Sequence, residues 1–160
     1  MEKIKKILAC VDLSQYSLMT LEYAVEFAKQ SEIQIVVFNV INQQDINAVE
    51  KVCKYFPEKA NVENYIKELK KDRHKDMKNI IRENFFDDKS LMSVKIDTGI
   101  PFECILKAVK TEDIDLIVMA NKGRGNISRV FFGSAAEKVF RHSQVPVVSV
   151  RDKNKFKMKK

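Results

Sequence analysis

The sequence has few of the residues that build disulfide frameworks, metal sites or membrane spans. Its three cysteines, Cys10, Cys53 and Cys104, are widely spaced and odd in number. This argues for a reducing compartment and against a disulfide framework or a metal site. No apolar run approaches the roughly 18 residues that a membrane span needs. The two histidines, His74 and His142, are isolated, so no Cys-His or Ser-His-Asp constellation can be assembled, and we expect each on the surface.

The length and charge of the chain predict one domain followed by a basic tail. A chain of 160 residues, 45% hydrophobic, suits a single globular domain with a sizeable core. Residues 151–160 contain six Lys or Arg and one acid, and so supply most of the net charge of +7. Such a tail can attract nucleic acid or an anionic membrane, but a solvated, loose end is the interpretation we favour. We therefore expect a domain over residues 1–151 and a disordered tail over 152–160.

The N-terminal segment briefly resembles a signal peptide. Its first six residues include three lysines, and an apolar stretch follows from Ile7 to Val11. That stretch is too short for a signal-peptide core, and Asp12 ends it. It is better interpreted as a first β-strand, which together with the cysteine pattern predicts a cytoplasmic protein.

Apolar segments of strand length alternate with helical patterns along the chain. Residues 42–90 are the part of the chain where the pattern constrains the structure least. A short helix is predicted to end at Pro57, and a longer helix is predicted to be capped by Asn61. Arg73 interrupts the apolar stripe of the longer helix. The alternation predicts a doubly wound α/β fold with right-handed crossovers. The strands are predicted at residues 6–12, 33–41, 91–97, 115–120 and 145–150, and the other helices at about 17–30, from Pro101 and from Ser134.

A glycine-containing loop between the fourth strand and the last helix predicts a phosphate site. Ser134 and Glu137 have the spacing of a capping box, which places the helix start at Ser134. Gly123 and Gly133 allow the backbone to approach a ligand without an intervening Cβ. The first amide groups of the helix and its positive dipole end suit a phosphate. We call Gly123, Gly133 and the amide groups that follow Gly133 the phosphate cradle.

The same loop resembles the nucleotide motif of the universal stress protein family, in its ATP-binding class. Gly123, nine residues, and then Gly133-Ser134 match the motif, whose first glycine is replaced by Ala120 here. The Rossmann fingerprint and the Walker A pattern are absent. The resemblance covers roughly residues 4–151. It also rests on the segments Val11-Asp12-Leu13-Ser14, Gly99-Ile100-Pro101, Asp115-Leu116-Ile117-Val118-Met119 and Val145-Pro146-Val147-Val148.

The resemblance implies a fold, a ligand and an assembly. The fold would be a single Rossmann-like, five-stranded parallel sheet of order 3-2-1-4-5 with helices on both faces. The ligand would be ATP, with Mg²⁺ or Mn²⁺ on its phosphates, bound where the strand order reverses. The assembly would be a homodimer through residues 145–150, an apolar edge strand. The implied nucleotide-binding residues are Asp12, Val40, Ala120, Lys122, Gly123, Arg124, Gly133, Ser134 and Ala135.

Each of these residues also has an ordinary structural interpretation. Asp12 would lie near the ribose or the metal, or it could be a carboxylate at a helix start. The main chain of Val40 would meet the adenine, or Val40 could be a core residue. Ser134 could serve only its helix, and Lys122 and Arg124 could be surface residues.

Three functions remain open at this stage. The first is an ATP-binding, dimeric, nucleotide-dependent regulator of a stress response, with no catalytic residues. The second is a slow ATPase or nucleotidyl-transfer enzyme that uses the same cleft. The third is a nucleotide-free dimeric interaction module, of which Ala120 would be the mark.

Overall fold

The computed structural model describes residues 3–29, 31, 33–55, 61–122 and 133–152. The predicted tail therefore lies outside the described residues from residue 153 onward. Strands and helices alternate through most of the described part of the chain. Its elements are β1 (Lys6–Cys10), α1 (Ser17–Ala28), β2 (Gln34–Asn42), α2 (Gln43–Tyr55), α3 (Val62–Asn84), a 3-10 turn (Lys89–Leu91), β3 (Met92–Gly99), α4 (Pro101–Thr111), β4 (Leu116–Ala120), α5 (Ser134–His142) and β5 (Val147–Val150).

The strands form one parallel sheet of order β3-β2-β1-β4-β5, which confirms the predicted fold. Parallel neighbours need a crossover, and helices supply it here. The order reverses at β1, which pairs with β2 on one side and with β4 on the other. The carboxyl ends of β1 and β4 therefore flank the place where an open α/β sheet forms its crevice.

Helices cover both faces of the sheet. Alternate residues of β1 enter different cores, with Ile7 and Ala9 on one face and Leu8 on the other. The first core contains buried residues of α1 and α3, and the second contains buried residues of α4 and α5. A strand buried on both faces has a nearly continuous apolar sequence, and β1 and β4 do. Among the helices that the structure describes, none is long and apolar enough to cross a membrane.

The helix starts agree with prediction in part. Asn61 caps α3, and its Oδ1 accepts a hydrogen bond from the Asn64 amide at 3.1 Å. Pro101 occupies the first turn of α4, as predicted. α1 begins at Ser17, close to the predicted start, but its N-cap is Tyr16, whose side chain makes no capping bond. Ser14 Oγ instead accepts from the Tyr16 amide at 3.3 Å.

Candidate functional site

A cleft of about 380 Å³ opens at the carboxyl ends of the strands, where the strand order reverses. Seven of the nine residues predicted to bind nucleotide line it, although they come from four separate parts of the chain. The other two, Gly123 and Arg124, lie outside the described residues. The seven residues that line the cleft are Asp12, Val40, Ala120, Lys122, Gly133, Ser134 and Ala135.

Asp12 shapes the turn between β1 and α1. Its Oδ1 accepts a hydrogen bond from the Ser14 amide at 3.0 Å and another from Ser17 Oγ at 3.4 Å. An aspartate that binds the amide two residues ahead stabilises a tight turn. Leu13 within this turn has a φ of 61°, which is uncommon for a residue with a Cβ. The turn brings Tyr16 and the first residues of α1 to the cleft.

The exit of β4 is tied to its neighbours through Asn121, which is only 3% exposed. The Asn121 amide donates to the Val150 carbonyl at 3.1 Å, and the Asn121 carbonyl accepts from the Gly133 amide at 2.8 Å. One residue therefore connects the end of β4 both to β5 and to the start of α5. Ala120 and Lys122, on either side of Asn121, line the cleft.

The start of α5 differs from the predicted capping box. Gly133 is the N-cap, and Ser134 is the first helical residue. Glu137 does not close the box, because its carboxylate pairs with Arg141 at 3.0 Å while its amide donates to the Gly133 carbonyl. The first amides of a helix have no partner within the helix, and they carry the positive end of its dipole. Gly133, Ser134 and Ala135 bring this helix end to the cleft.

Asn39 of β2 and Arg73 of α3 have a role that the sequence did not predict. Asn39, 1% exposed, donates from Nδ2 to the Val11 carbonyl at 2.7 Å. Arg73 of α3, 7% exposed, donates from Nη1 to Asn39 Oδ1 at 2.8 Å and to the Val40 carbonyl at 3.1 Å. Arg73 also lines the cleft. One feature of the sequence could have indicated this role. Arg73 precedes the inward-facing Met77 by four positions and so lies on the same face of the helix, and a buried guanidinium requires hydrogen-bond acceptors.

The rest of the cleft is apolar on one wall and charged at its rim. Phe38, Ile105 and Met119 contribute apolar surface, and Asp45 adds a second carboxylate. The half-buried Cys10 also lines the cleft, and burial raises the pKa of its thiol to about 12, so the thiol is neutral at ordinary pH.

Among the described residues, neither a histidine nor a cluster of metal ligands lies at this cleft. His74 and His142 are both exposed, as predicted, and neither is among the residues that line it. Within the described ranges no group of three or more His, Cys, Asp or Glu could hold a metal ion. The lining combines apolar side chains with a lysine and a helix start, groups that suit a ligand with one apolar part and one anionic part.

The fold is that of a doubly wound α/β domain, and its cleft lies at the switch point of the sheet, which is where open α/β sheets bind their ligands. A family model described as the universal stress protein family matches residues 3–151. The chain belongs to this family, and the predicted membership is confirmed.

Individual relatives agree with this assignment. The chain is 28% identical to universal stress protein MJ0577 of Methanocaldococcus jannaschii, over 94% of this chain and 96% of the relative. The solved structure of MJ0577 matches with a TM-score of 0.77 at 29% identity, covering 94% of this chain and 98% of that one. UspA from Lactobacillus plantarum matches with a TM-score of 0.70 at 21% identity, over 94% and 100% of the two chains.

Two universal stress proteins of the same fold were solved with nucleotides. One, in complex with cAMP, matches with a TM-score of 0.59 at 18% identity, over 94% of this chain and 98% of that one. The other, from Archaeoglobus fulgidus in complex with dAMP, has a TM-score of 0.55 at 17% identity, over 94% and 100%. At these identities the likeness to this chain is one of fold.

Proposed function

We propose that this universal stress protein binds ATP at the cleft and acts as a dimeric, nucleotide-dependent regulator of a stress response. The observation that carries the proposal is the convergence of seven predicted binding residues at one cleft, from parts of the chain more than a hundred positions apart. Nucleotide complexes of two proteins with this fold support the ligand class.

The proposal assigns each end of the cleft to one part of the nucleotide. The apolar wall and the main chain of Val40 would receive the base. Asp12 would face the ribose or the metal ion. The helix end at Gly133-Ser134-Ala135, with Lys122, would bind the phosphates, because amides at a helix start and a cation both favour anionic oxygens. Gly123 of the phosphate cradle and Arg124 lie outside the described residues, so their part in nucleotide binding stays a prediction.

A divalent cation fits this assignment as a companion of the phosphates. Mg²⁺ usually binds through one or two carboxylates together with phosphate oxygens and waters, and does not need a cage made only of protein groups. Asp12 and Asp45 are two carboxylates on the cleft wall that could serve in this way. We therefore propose that Mg²⁺ or Mn²⁺ binds with the nucleotide.

Dimerisation and location complete the proposal. Within the described part of the chain β5 pairs with β4 alone and so is an edge strand, and its Val147 and Val148 are only half-buried. An apolar edge favours pairing with a second copy. A cytoplasmic location is supported by the three free cysteines.

The deciding experiment has two steps on the full chain. Acid or heat releases any small molecule from the purified protein, and chromatography identifies it. Calorimetry then measures ATP binding to the stripped protein in the presence of Mg²⁺. We expect saturable binding, and no affinity into the millimolar range would remove the proposal and favour the nucleotide-free interaction module.

A further inference from the structure

The main chain of Val40 points past the end of β1 into the cleft. Cys10 is level with Phe38 in the β1–β2 register, and the Phe38 carbonyl accepts from the Val11 amide at 2.9 Å. Phe38 therefore directs its main-chain groups toward β1. Strand geometry repeats every two residues, so Val40 directs its amide and carbonyl to the same side. β1 ends at Cys10, and Val40 lines the cleft just beyond that end.

The side chains of Asn39 and Arg73 donate hydrogen bonds to the main chain in this region, at Val11 and Val40. The Val11 carbonyl, which would continue the ladder to Val40, accepts instead from Asn39 Nδ2 at 2.7 Å. Arg73 Nη1 donates one hydrogen bond to Asn39 Oδ1 at 2.8 Å and another to the Val40 carbonyl at 3.1 Å. A buried guanidinium, always protonated, therefore lies beside the edge of main chain that a base would meet.

We propose that Arg73 determines base preference and makes this cleft bind 6-oxopurine nucleotides about as well as 6-aminopurine nucleotides. The inference rests on the proposed function, since it assumes that a base is held at Val40. A bare main-chain carbonyl favours an amino group, which donates to it. With Arg73 in place, that carbonyl is already a hydrogen-bond acceptor for a cation.

The charge of Arg73 acts on the two bases in opposite directions. An oxo group beside the Val40 carbonyl carries partial negative charge and can share the Nη1 hydrogen in a three-centre bond. An amino group at the same place carries partial positive charge and faces the guanidinium. Both effects are strengthened by burial, since a low local dielectric weakens screening.

The experiment compares ATP with ITP, whose purines differ in the substituent at carbon 6. Calorimetry on the nucleotide-stripped full chain measures both affinities with Mg²⁺ present. We expect the wild-type affinities to agree within about threefold. Arg73→Met keeps an apolar stem but removes the donors and the charge, so ITP should weaken relative to ATP by about tenfold, the low end for a bond to a charged group.

Two further variants make the comparison specific. Arg82→Met makes the same substitution at an exposed position of α3, where Arg82 Nη2 donates to Asn79 Oδ1 at 3.1 Å, and it should leave the ITP-to-ATP ratio unchanged. Arg73→Lys keeps the charge and covers the case in which Arg73→Met does not fold; its ratio should lie between those of wild type and Arg73→Met. Because each ratio is measured within one variant, differences in stability cancel.

The outcomes separate this inference from the proposed function. Wild-type binding of ATP with ITP more than about tenfold weaker would overturn the role of Arg73 and leave ATP binding intact. An unchanged ratio in both Arg73 variants would do the same. Failure of the wild type to bind either nucleotide would overturn the proposed function, and this inference with it.

Discussion

The amide nitrogen of Gly133 lies 2.8 Å from the carbonyl oxygen of Asn121, and this hydrogen bond holds the start of α5 against the end of β4. Asn121 is itself held by Val150 of the edge strand. The helix end that would face a phosphate is therefore fixed by the sheet. Such preorganisation lowers the cost of binding, because little has to be ordered when the ligand arrives.

The first prediction concerns this helix start. Gly133 has φ −66° and ψ 148°, a conformation that valine adopts without strain. Gly133→Val should therefore lower the stability of the protein only because valine is a poorer N-cap than glycine. Its side chain should nevertheless block the approach of a phosphate. We expect ATP to raise the melting temperature of the wild type by mass action, and Gly133→Val to abolish that rise.

Ser134→Ala is the matched comparison for Gly133→Val. Ser134 is the first helical residue and not the N-cap, so the loss of its hydroxyl should cost little stability without ligand. At most one phosphate hydrogen bond disappears, worth about 1–2 kcal/mol. The rise in melting temperature that ATP causes should therefore be smaller in Ser134→Ala than in the wild type, but still present. An undiminished rise in Gly133→Val would contradict the assignment of the phosphate cradle.

The second prediction separates the two roles considered for Asp12. Asp12→Asn keeps an oxygen that can accept from Ser14 and Ser17 but removes the charge. If Asp12 serves the metal ion, ATP affinity should fall about tenfold with Mg²⁺ present and little in EDTA. If Asp12 contacts the ribose, the loss of ATP affinity should be similar with Mg²⁺ present and in EDTA. Calorimetry under the two conditions decides, and Asp87→Asn, at an exposed position that is not among the residues lining the cleft, is the charge-matched control.

The third prediction concerns stability at alkaline pH. Burial raises the pKa of the Cys10 thiol from 9.0 to about 12. Between these values the unfolded chain loses a proton that the folded protein keeps, so the free energy of unfolding falls as pH rises. This group alone should account for about 2 kcal/mol at most between pH 8 and 10.5. Urea denaturation at both pH values should show a smaller fall in Cys10→Ala, and an equal fall would contradict the burial effect.

The fourth prediction concerns the dimer. The Ile117 amide donates to the Pro146 carbonyl and the Asn121 amide to the Val150 carbonyl, so Ser149 directs its own main-chain groups away from β4. Ser149→Pro removes an outward amide without removing a bond to β4. Light scattering at micromolar concentration should give a dimer for the wild type and a monomer for the variant. A monomeric wild type would contradict the proposed assembly.

The fifth prediction concerns turnover. The cleft offers the carboxylates Asp12 and Asp45, and both histidines are exposed and not among its lining residues. We therefore expect ATP hydrolysis far slower than the roughly 10 s⁻¹ of a median enzyme. A steady-state phosphate-release assay measures the rate, with Gly133→Val as the control for contaminating ATPases. A rate near the median, lost in that variant, would favour the enzyme alternative.

The sequence predicted the features that depend on local pattern and on recognised motifs. The strand positions follow from apolar segments, and strand order and cleft position follow from the resemblance carried by Gly133-Ser134 and Asp12. The start of α5 at Ser134 was predicted correctly, but its N-cap is Gly133 and not Ser134, because both residues are acceptable caps and Glu137 had an alternative partner in Arg141, one turn ahead.

Arg73 shows what a local pattern cannot predict. Its position relative to Met77 indicated the inward face of α3, but its acceptors, Asn39 and the Val40 carbonyl, lie more than thirty positions earlier in the chain. That pairing arises only when α3 lies against the face of β2 that carries Asn39. The fifth strand was predicted over residues 145–150, but in the structure its pairing with β4 begins only at Val147, after Pro146.

The unequal lengths of β1 and β2 set the depth of the cleft. β1 stops at Cys10, level with Phe38, whereas β2 and its partner β3 continue together to Asn42 and Gly99. The four further residues of β2 form a step about 13 Å high at roughly 3.3 Å per residue. A rigid, hydrogen-bonded wall of this height can support a flat ring on its edge. The segments beyond it can then vary in length and sequence without altering where the ring rests.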